Sequence, residues 1–240
     1  MTTTQPVVAS TVQRPRATPA FRPGVLRTAR AVARPVINNL LFDLHLDGVE
    51  HVPTDGPLLL AGPHSGWLDG PLVVAETPRH VRCLTKSELY AGRLGDFLHV
   101  IGQIPVERGK PDRSALQAAL DELAHGGAVG VFPEGTRGSG ELDSVHDGLA
   151  YLASRSRAPI VPVACVGTAE ALPKGARLPR HTRVDVVYGK PFLAPEPASP
   201  HSRRALAEVG ETIRVRLVEH VAAARAAHPV LAAASGRHRL

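Results

Sequence analysis

From residue 43 to residue 227 the chain alternates short runs rich in Val, Leu and Ile with stretches of helical spacing. No other property restricts the fold as much. The runs at 44–49, 57–61, 81–85, 102–106, 128–132, 160–166 and 183–188 read as strands. Helices are expected after Asp69, over 91–100, over 112–125 and over 203–227. In the third of these Leu116, Ala119, Leu120 and Leu123 share one face, and Gly126-Gly127 ends it. Strands that alternate with helices predict an α/β fold: a single domain with a mainly buried sheet flanked by helices. In such a fold the functional loops gather along one edge of the sheet. No internal repeat interrupts the pattern.

The segment ahead of this domain is different. Residues 1–20 are rich in Thr, Pro and Arg and predict a disordered tail. Residues 21–42 read as a basic amphipathic helix. Val25, Ala29, Val32, Val36 and Leu40 share one face, Arg27, Arg30 and Arg34 the opposite one, and Pro35 should kink or split it. Two readings stay open. The apolar stripe packs on the domain and the arginines face water, or the helix lies at an anionic membrane surface; the two are compatible, since a packed helix can still present arginines to lipid. Residues 43–228 form the domain proper, and 229–240 a flexible C-terminal tail.

With 43% hydrophobic residues in 240, the chain is long and apolar enough for a real core. Its formal net charge of +6 favours anionic partners. Aromatic residues are only 4%, and no basic stripe interleaves with them, which argues against nucleic acid. No apolar run approaches a membrane span, and residues 1–10 lack the apolar centre of a secretory leader. The expected location is cytoplasmic, peripheral at the inner face of the cell membrane. Cys83 and Cys165 lie in strand-like runs and are expected as buried free thiols.

The chemistry centres on His64 and Asp69, five residues apart after the apolar run Leu58-Leu59-Leu60-Ala61. A strand ending there leaves His64 at its mouth. A helix starting near Leu68 places Asp69 in its first turn, where the carboxylate can fold back to the ring. A carboxylate on one ring nitrogen frees the other to take a proton from a hydroxyl. This is half of a catalytic triad, and the substrate's own hydroxyl can supply the missing nucleophile.

Other strand ends carry polar groups. Phe132-Pro133-Glu134-Gly135-Thr136-Arg137 follows the run 128–131 directly. Gly135 permits close backbone approach, Thr136 offers a hydroxyl, and Arg137 can grip a phosphate with two N–H groups. Arg108 ends Gly102-Gln103-Ile104-Pro105-Val106-Glu107, and Lys86 ends 81–85; both are candidates to face the same cleft.

The order of these blocks (His64 to Asp69, Lys86-Ser87-Glu88-Leu89, 102–108, 132–137, then Pro159-Ile160-Val161-Pro162-Val163) resembles the glycerolipid acyltransferase family, which includes 1-acylglycerol-3-phosphate acyltransferase. The likeness covers about residues 47–167. It implies an α/β acyltransferase domain, with His64 as general base and Asp69 as its orienting partner. It also implies that Arg108, Glu134, Gly135, Thr136 and Arg137 bind the phosphate and glycerol of the acceptor. Pro63 stands where the family usually has Asn, and Glu107 where it usually has Asp. Both changes bear on the acceptor, since the family also acylates glycerol-3-phosphate and other lysolipids.

The expected function is transfer of a fatty acyl group from acyl-CoA or acyl carrier protein to a lysophospholipid hydroxyl, first of all that of 1-acylglycerol-3-phosphate. No cofactor and no metal are expected. The oxyanion would be met by backbone N–H groups or Lys86. Rival readings are a thioester hydrolase, weakened by the lack of a G-x-S-x-G elbow, and a charge-driven membrane-binding module.

Overall fold

Seven strands build one sheet in the computed structural model, which describes residues 21–64, 66–107, 112–132, 147–173, 182–197 and 202–229. The strands are β1 (Phe42–Asp47), β2 (Leu58–Ala61), β3 (Val81–Lys86), β4 (Ile104–Val106), β5 (Ala128–Val131), β6 (Ile160–Val166) and β7 (Thr182–Tyr188). All seven expected runs are strands, with ends displaced by no more than two residues. Their order is β1-β7-β6-β2-β5-β3-β4, and every pairing is parallel except β6 with β7. The expected tails at 1–20 and 230–240 lie outside the described residues.

The helices are α1 (Pro23–Val36), α2 (Asp69–Glu76), α3 (Gly92–Val100), α4 (Arg113–Ala124), α5 (Asp147–Ser156), the single turn α6 (Thr168–Ala171) and α7 (Arg203–Ala227). From β2 through α2 to β3, and from β3 through α3 to β4, the chain moves one way across the sheet. From β4 through α4 to β5, and from β5 through α5 to β6, it moves back. Right-handed crossovers therefore put α2 and α3 on one face and α4 and α5 on the other.

The two cores follow the strand alternation. Leu58 and Leu60 point to the α2 side, where they meet Leu72, Val73, Val161 and Val163. Leu59 and Ala61 point to the other side, where they meet Val129, Leu149, Leu152, Ile213 and Leu217 from β5, α5 and α7. All four β2 residues are buried, as a central strand covered on both faces requires. Each buried Leu contributes roughly 1.5–3 kcal/mol. Cys83 and Cys165 are buried free thiols, as expected. Burial alone pushes the Cys83 thiol up to about 12.

Helix α1 departs from the expected packing of its apolar stripe on the domain. Arg30 and Arg34, with the buried Leu26, pack on the domain, while Arg27 faces out with Val25, Val32 and Val36. Arg34 donates from Nε to the Ala75 carbonyl at 2.8 Å and from Nη2 to the Glu76 carbonyl at 3.1 Å. Arg30 donates to the carbonyls of Ala75 and Thr77. Arg34 also pairs with the buried Glu76 carboxylate at 3.5 Å. The reason lies in α2: its last carbonyls have no intrahelical donors, and they end inside the fold. Guanidinium groups supply several N–H donors each. The apolar residues Val25, Val32 and Val36 consequently face outward and are exposed. Helix α1 runs through Pro35 and then gives way to a π-helical turn at Ile37–Leu41.

Candidate active site

Strand β2 pairs with β6 only as far as Ala61 opposite Pro162, and proline has no N–H to extend a ladder. The next residue, Gly62, lies against the Val163 carbonyl. A Cβ there would fall 1.8 Å from that oxygen, so only glycine lets the chain pass. The backbone then turns through the buried Pro63 and delivers His64 to the carboxyl edge of the sheet.

Helix α2 starts at Asp69, with Leu68 in the capping position. Asp69 is completely buried and accepts three hydrogen bonds. The Gly66 N–H donates to Oδ2 at 2.8 Å, the Thr168 hydroxyl to Oδ1 at 2.5 Å, and His64 approaches Oδ2 through Nδ1 at 3.2 Å. A carboxylate only accepts, so Nδ1 carries the proton and Nε2 of a neutral ring presents its lone pair. Among the described residues Nε2 has no partner. The imidazole keeps 19% of its side-chain surface accessible. Its ring packs on Phe132 with centroids 5.0 Å apart.

The Phe132 contact brings the start of the 132–137 block beside His64, since β5 and β2 are neighbours. Glu134, Gly135, Thr136 and Arg137 lie outside the described residues, as does Arg108. The two ends of the Arg108 segment are described. Asp112 caps α4 by accepting from the Ala115 N–H at 3.0 Å, and its other oxygen accepts from the Glu107 N–H at 2.9 Å. These backbone bonds, that from Glu107 foremost, and the Ser114 hydroxyl hold the Asp112 carboxyl down at about 2.

Lys86 closes β3 at the same edge, with β5 between it and β2. It pairs with Glu88 at 3.7 Å, and no described contact joins it to His64. Among the described residues no group of three or more His, Cys, Asp or Glu is placed to hold a metal.

Thr168 was not among the residues the sequence singles out. It follows the buried strand β6 through Gly167, another polar group at a strand end, and it is fully buried. Its hydroxyl and the Gly66 N–H fix the carboxylate from two sides. A Cβ on residue 66 would sit 2.8 Å from Thr168 Oγ1, which shows how tightly that turn is packed. Cys165 lies nearby; burial, and then the negative charge of Asp69, raise its thiol well above its ordinary range.

The arrangement is a buried, triply anchored carboxylate that orients an accessible imidazole, at the edge where β3, β4 and β5 also end. It can accept a proton from a hydroxyl brought to Nε2. Residues 43–166 match the family model described as Acyltransferase. The chain is 30% identical over 191 residues to a 1-acyl-sn-glycerol-3-phosphate acyltransferase of Bacillus subtilis (strain 168), covering 79% of this chain and 94% of that protein. It is 26% identical over 157 residues to the chloroplastic 1-acyl-sn-glycerol-3-phosphate acyltransferase LPAT1 of Arabidopsis thaliana, covering 63% of this chain and 44% of that one. The solved structure of the 1-acyl-sn-glycerophosphate acyltransferase PlsC from Thermotoga maritima shares the fold. Its TM-score is 0.61 at 24% identity, over 83% of this chain and 80% of that one.

Proposed function

This chain belongs to the glycerolipid acyltransferase family, and on that premise we propose that it acylates the free hydroxyl of 1-acylglycerol-3-phosphate from acyl-CoA or acyl carrier protein, with His64 as general base. It is an O-acyltransferase of the 1-acylglycerol-3-phosphate acyltransferase family. The observation that carries the finer reading is His64 Nδ1 on the buried Asp69 with Nε2 left open.

Nε2 takes the proton of the acceptor hydroxyl as its oxygen attacks the thioester carbonyl. The tetrahedral oxyanion is met by N–H donors at the strand ends or by Lys86. Collapse breaks the C–S bond, and the imidazolium returns its proton to the departing thiolate. The products are the ester and a free thiol, and His64 ends neutral as it began. General-base catalysis contributes about 10²–10⁴-fold, so positioning of two bound substrates carries much of the remainder. Arg108, Glu134, Gly135, Thr136 and Arg137 hold the acceptor's phosphate and glycerol in this reading. No metal and no acyl-enzyme take part.

Labelled palmitoyl-CoA offered with glycerol-3-phosphate, 1-acylglycerol-3-phosphate and other lysolipids tests the reading. Label should pass to 1-acylglycerol-3-phosphate, and His64→Ala should lose at least a hundredfold of that transfer while keeping its fold. Thioester cleavage that proceeds equally well without any acceptor would identify a hydrolase instead.

The outward apolar face of α1 supports a second part of the proposal, docking on an anionic membrane surface. Among the described residues no helix is long and apolar enough to cross a membrane. A helix that turns valines to water and arginines to the protein forfeits the burial of those valines unless something apolar covers them.

A further inference from the structure

His64 meets Asp69 at the edge of its ring and Phe132 against one face. Phe132 is the first residue after β5, and Ala61 stands opposite Val131 in the parallel pairing of β2 with β5. Phe132 therefore leaves the sheet level with Gly62, two residues before His64. Val131 points to the α5 side, so by alternation Phe132 points to the α2 side. There it packs, partly buried, on the core that contains Leu58, Leu60, Leu72 and Val73. Its ring lies with its centroid 5.0 Å from that of the imidazole and the two planes tilted by 36°, nearer to stacked than to edge-on. It also borders the first turn of α2, since a Cβ built on Gly70 would come 3.9 Å from Phe132 Cε2. One aromatic ring thus adjoins both the imidazole and the helix turn that carries Asp69.

A neutral imidazole gains little from such a neighbour beyond packing. An imidazolium gains more, because the electron-rich face of an aromatic ring attracts a cation within about 6 Å of its centroid. In the mechanism above the ring of His64 is neutral until the acceptor's proton comes to Nε2. It is neutral again once that proton has passed to the departing thiolate. Positive charge stands on the ring only between these two transfers. An attraction present only then lowers the barrier and leaves substrate binding as it was.

We propose that Phe132 is a positioning residue whose ring stabilises the imidazolium of His64 as the acceptor hydroxyl is deprotonated. It acts through His64 and needs no contact with either substrate. This role rests on the reading of His64 as general base.

Fluorination separates the charge of the ring from its shape. Site-specific replacement of Phe132 in the full-length protein by mono-, di- and trifluorophenylalanine withdraws electrons from the ring face and nearly preserves its outline. With palmitoyl-CoA and 1-acylglycerol-3-phosphate, kcat should fall step by step, about threefold to thirtyfold over the series, on the scale of cation–π contacts. KM for both substrates should stay level. Phe132→Leu, which keeps an apolar side chain and removes the π face, should lose kcat to a similar extent. A constant kcat along the fluorinated series would reduce Phe132 to packing and overturn the proposal, whatever Phe132→Leu does. So would a KM that rises along the series at constant kcat, since the ring would then touch a substrate and not act through the base. His64→Ala, assayed in parallel, keeps two failures apart. If that variant is inactive, a flat series sinks the role of Phe132 alone; if it stays active, the base reading falls and this role with it.

Discussion

Asp69 shows how much a single residue depends on neighbours distant in sequence. His64 and Gly66 are local, but Thr168 reaches it from 99 residues away. Replacing Thr168 by Val keeps the shape and removes the donor, which leaves Oδ1 buried without a partner. Such a loss costs about 1–3 kcal/mol. If it falls on the orientation of His64, kcat should drop about tenfold to a hundredfold with little change in KM, and Thr168→Ser should restore most of it. Steady-state kinetics of the two variants check this. Activity retained in Thr168→Val but lost in Thr168→Ser would show that the methyl group, not the hydroxyl, is what matters. Nothing at residue 168 advertised this role beyond its place directly after a strand and a glycine. A sequence alone does not say which strand ends become neighbours.

At the scale of elements, α2 is held at both ends. Its first turn carries the Asp69 carboxylate, and its last carbonyls are held by Arg30 and Arg34 from α1. The periodicity of α1 was legible in the sequence, and so was the separation of its arginines from its valines. Which side would face inward was not. Periodicity defines two faces but not their partners, and the usual rule buries the apolar one. Here the carbonyl end of an eight-residue helix is the stronger demand, since a buried acceptor without a donor costs more than a valine left exposed. Removing both guanidiniums (Arg30→Ala with Arg34→Ala) should cost about 2–3 kcal/mol in urea denaturation, on the scale of hydrogen bonds to charged groups. Glu76 adds a pH dependence. Burial raises its carboxyl above the ordinary range, and Arg34 and Arg30 draw it down, so the double variant leaves it higher still. A carboxyl whose folded value exceeds its unfolded one destabilises the fold as pH rises through that window. The deficit of the double variant should therefore be larger at pH 8 than at pH 5. A deficit independent of pH would place the cost in the carbonyl bonds alone.

The whole molecule is a charged body with an asymmetric surface. Its net charge of +6 should draw anionic donors and acceptors toward the site over distances that salt shortens. Raising ionic strength from about 0.01 to 0.15 M cuts the screening length from about 30 to 8 Å. Accordingly kcat/KM for an anionic acyl donor should fall over that range, with kcat nearly unchanged; a flat profile would show that the charge serves something other than encounter. The sequence by itself determined the seven strands, the main helices, the domain class and the pairing of His64 with Asp69. Hydrophobic periodicity and five-residue spacing are local, and local physics decides them. Tertiary structure decided the rest: the antiparallel β7, the anchoring of Asp69 by Thr168, and the inward turn of Arg30 and Arg34. Each depends on which distant segments are brought together, and that follows from strand order and crossover hand, not from any single stretch of residues.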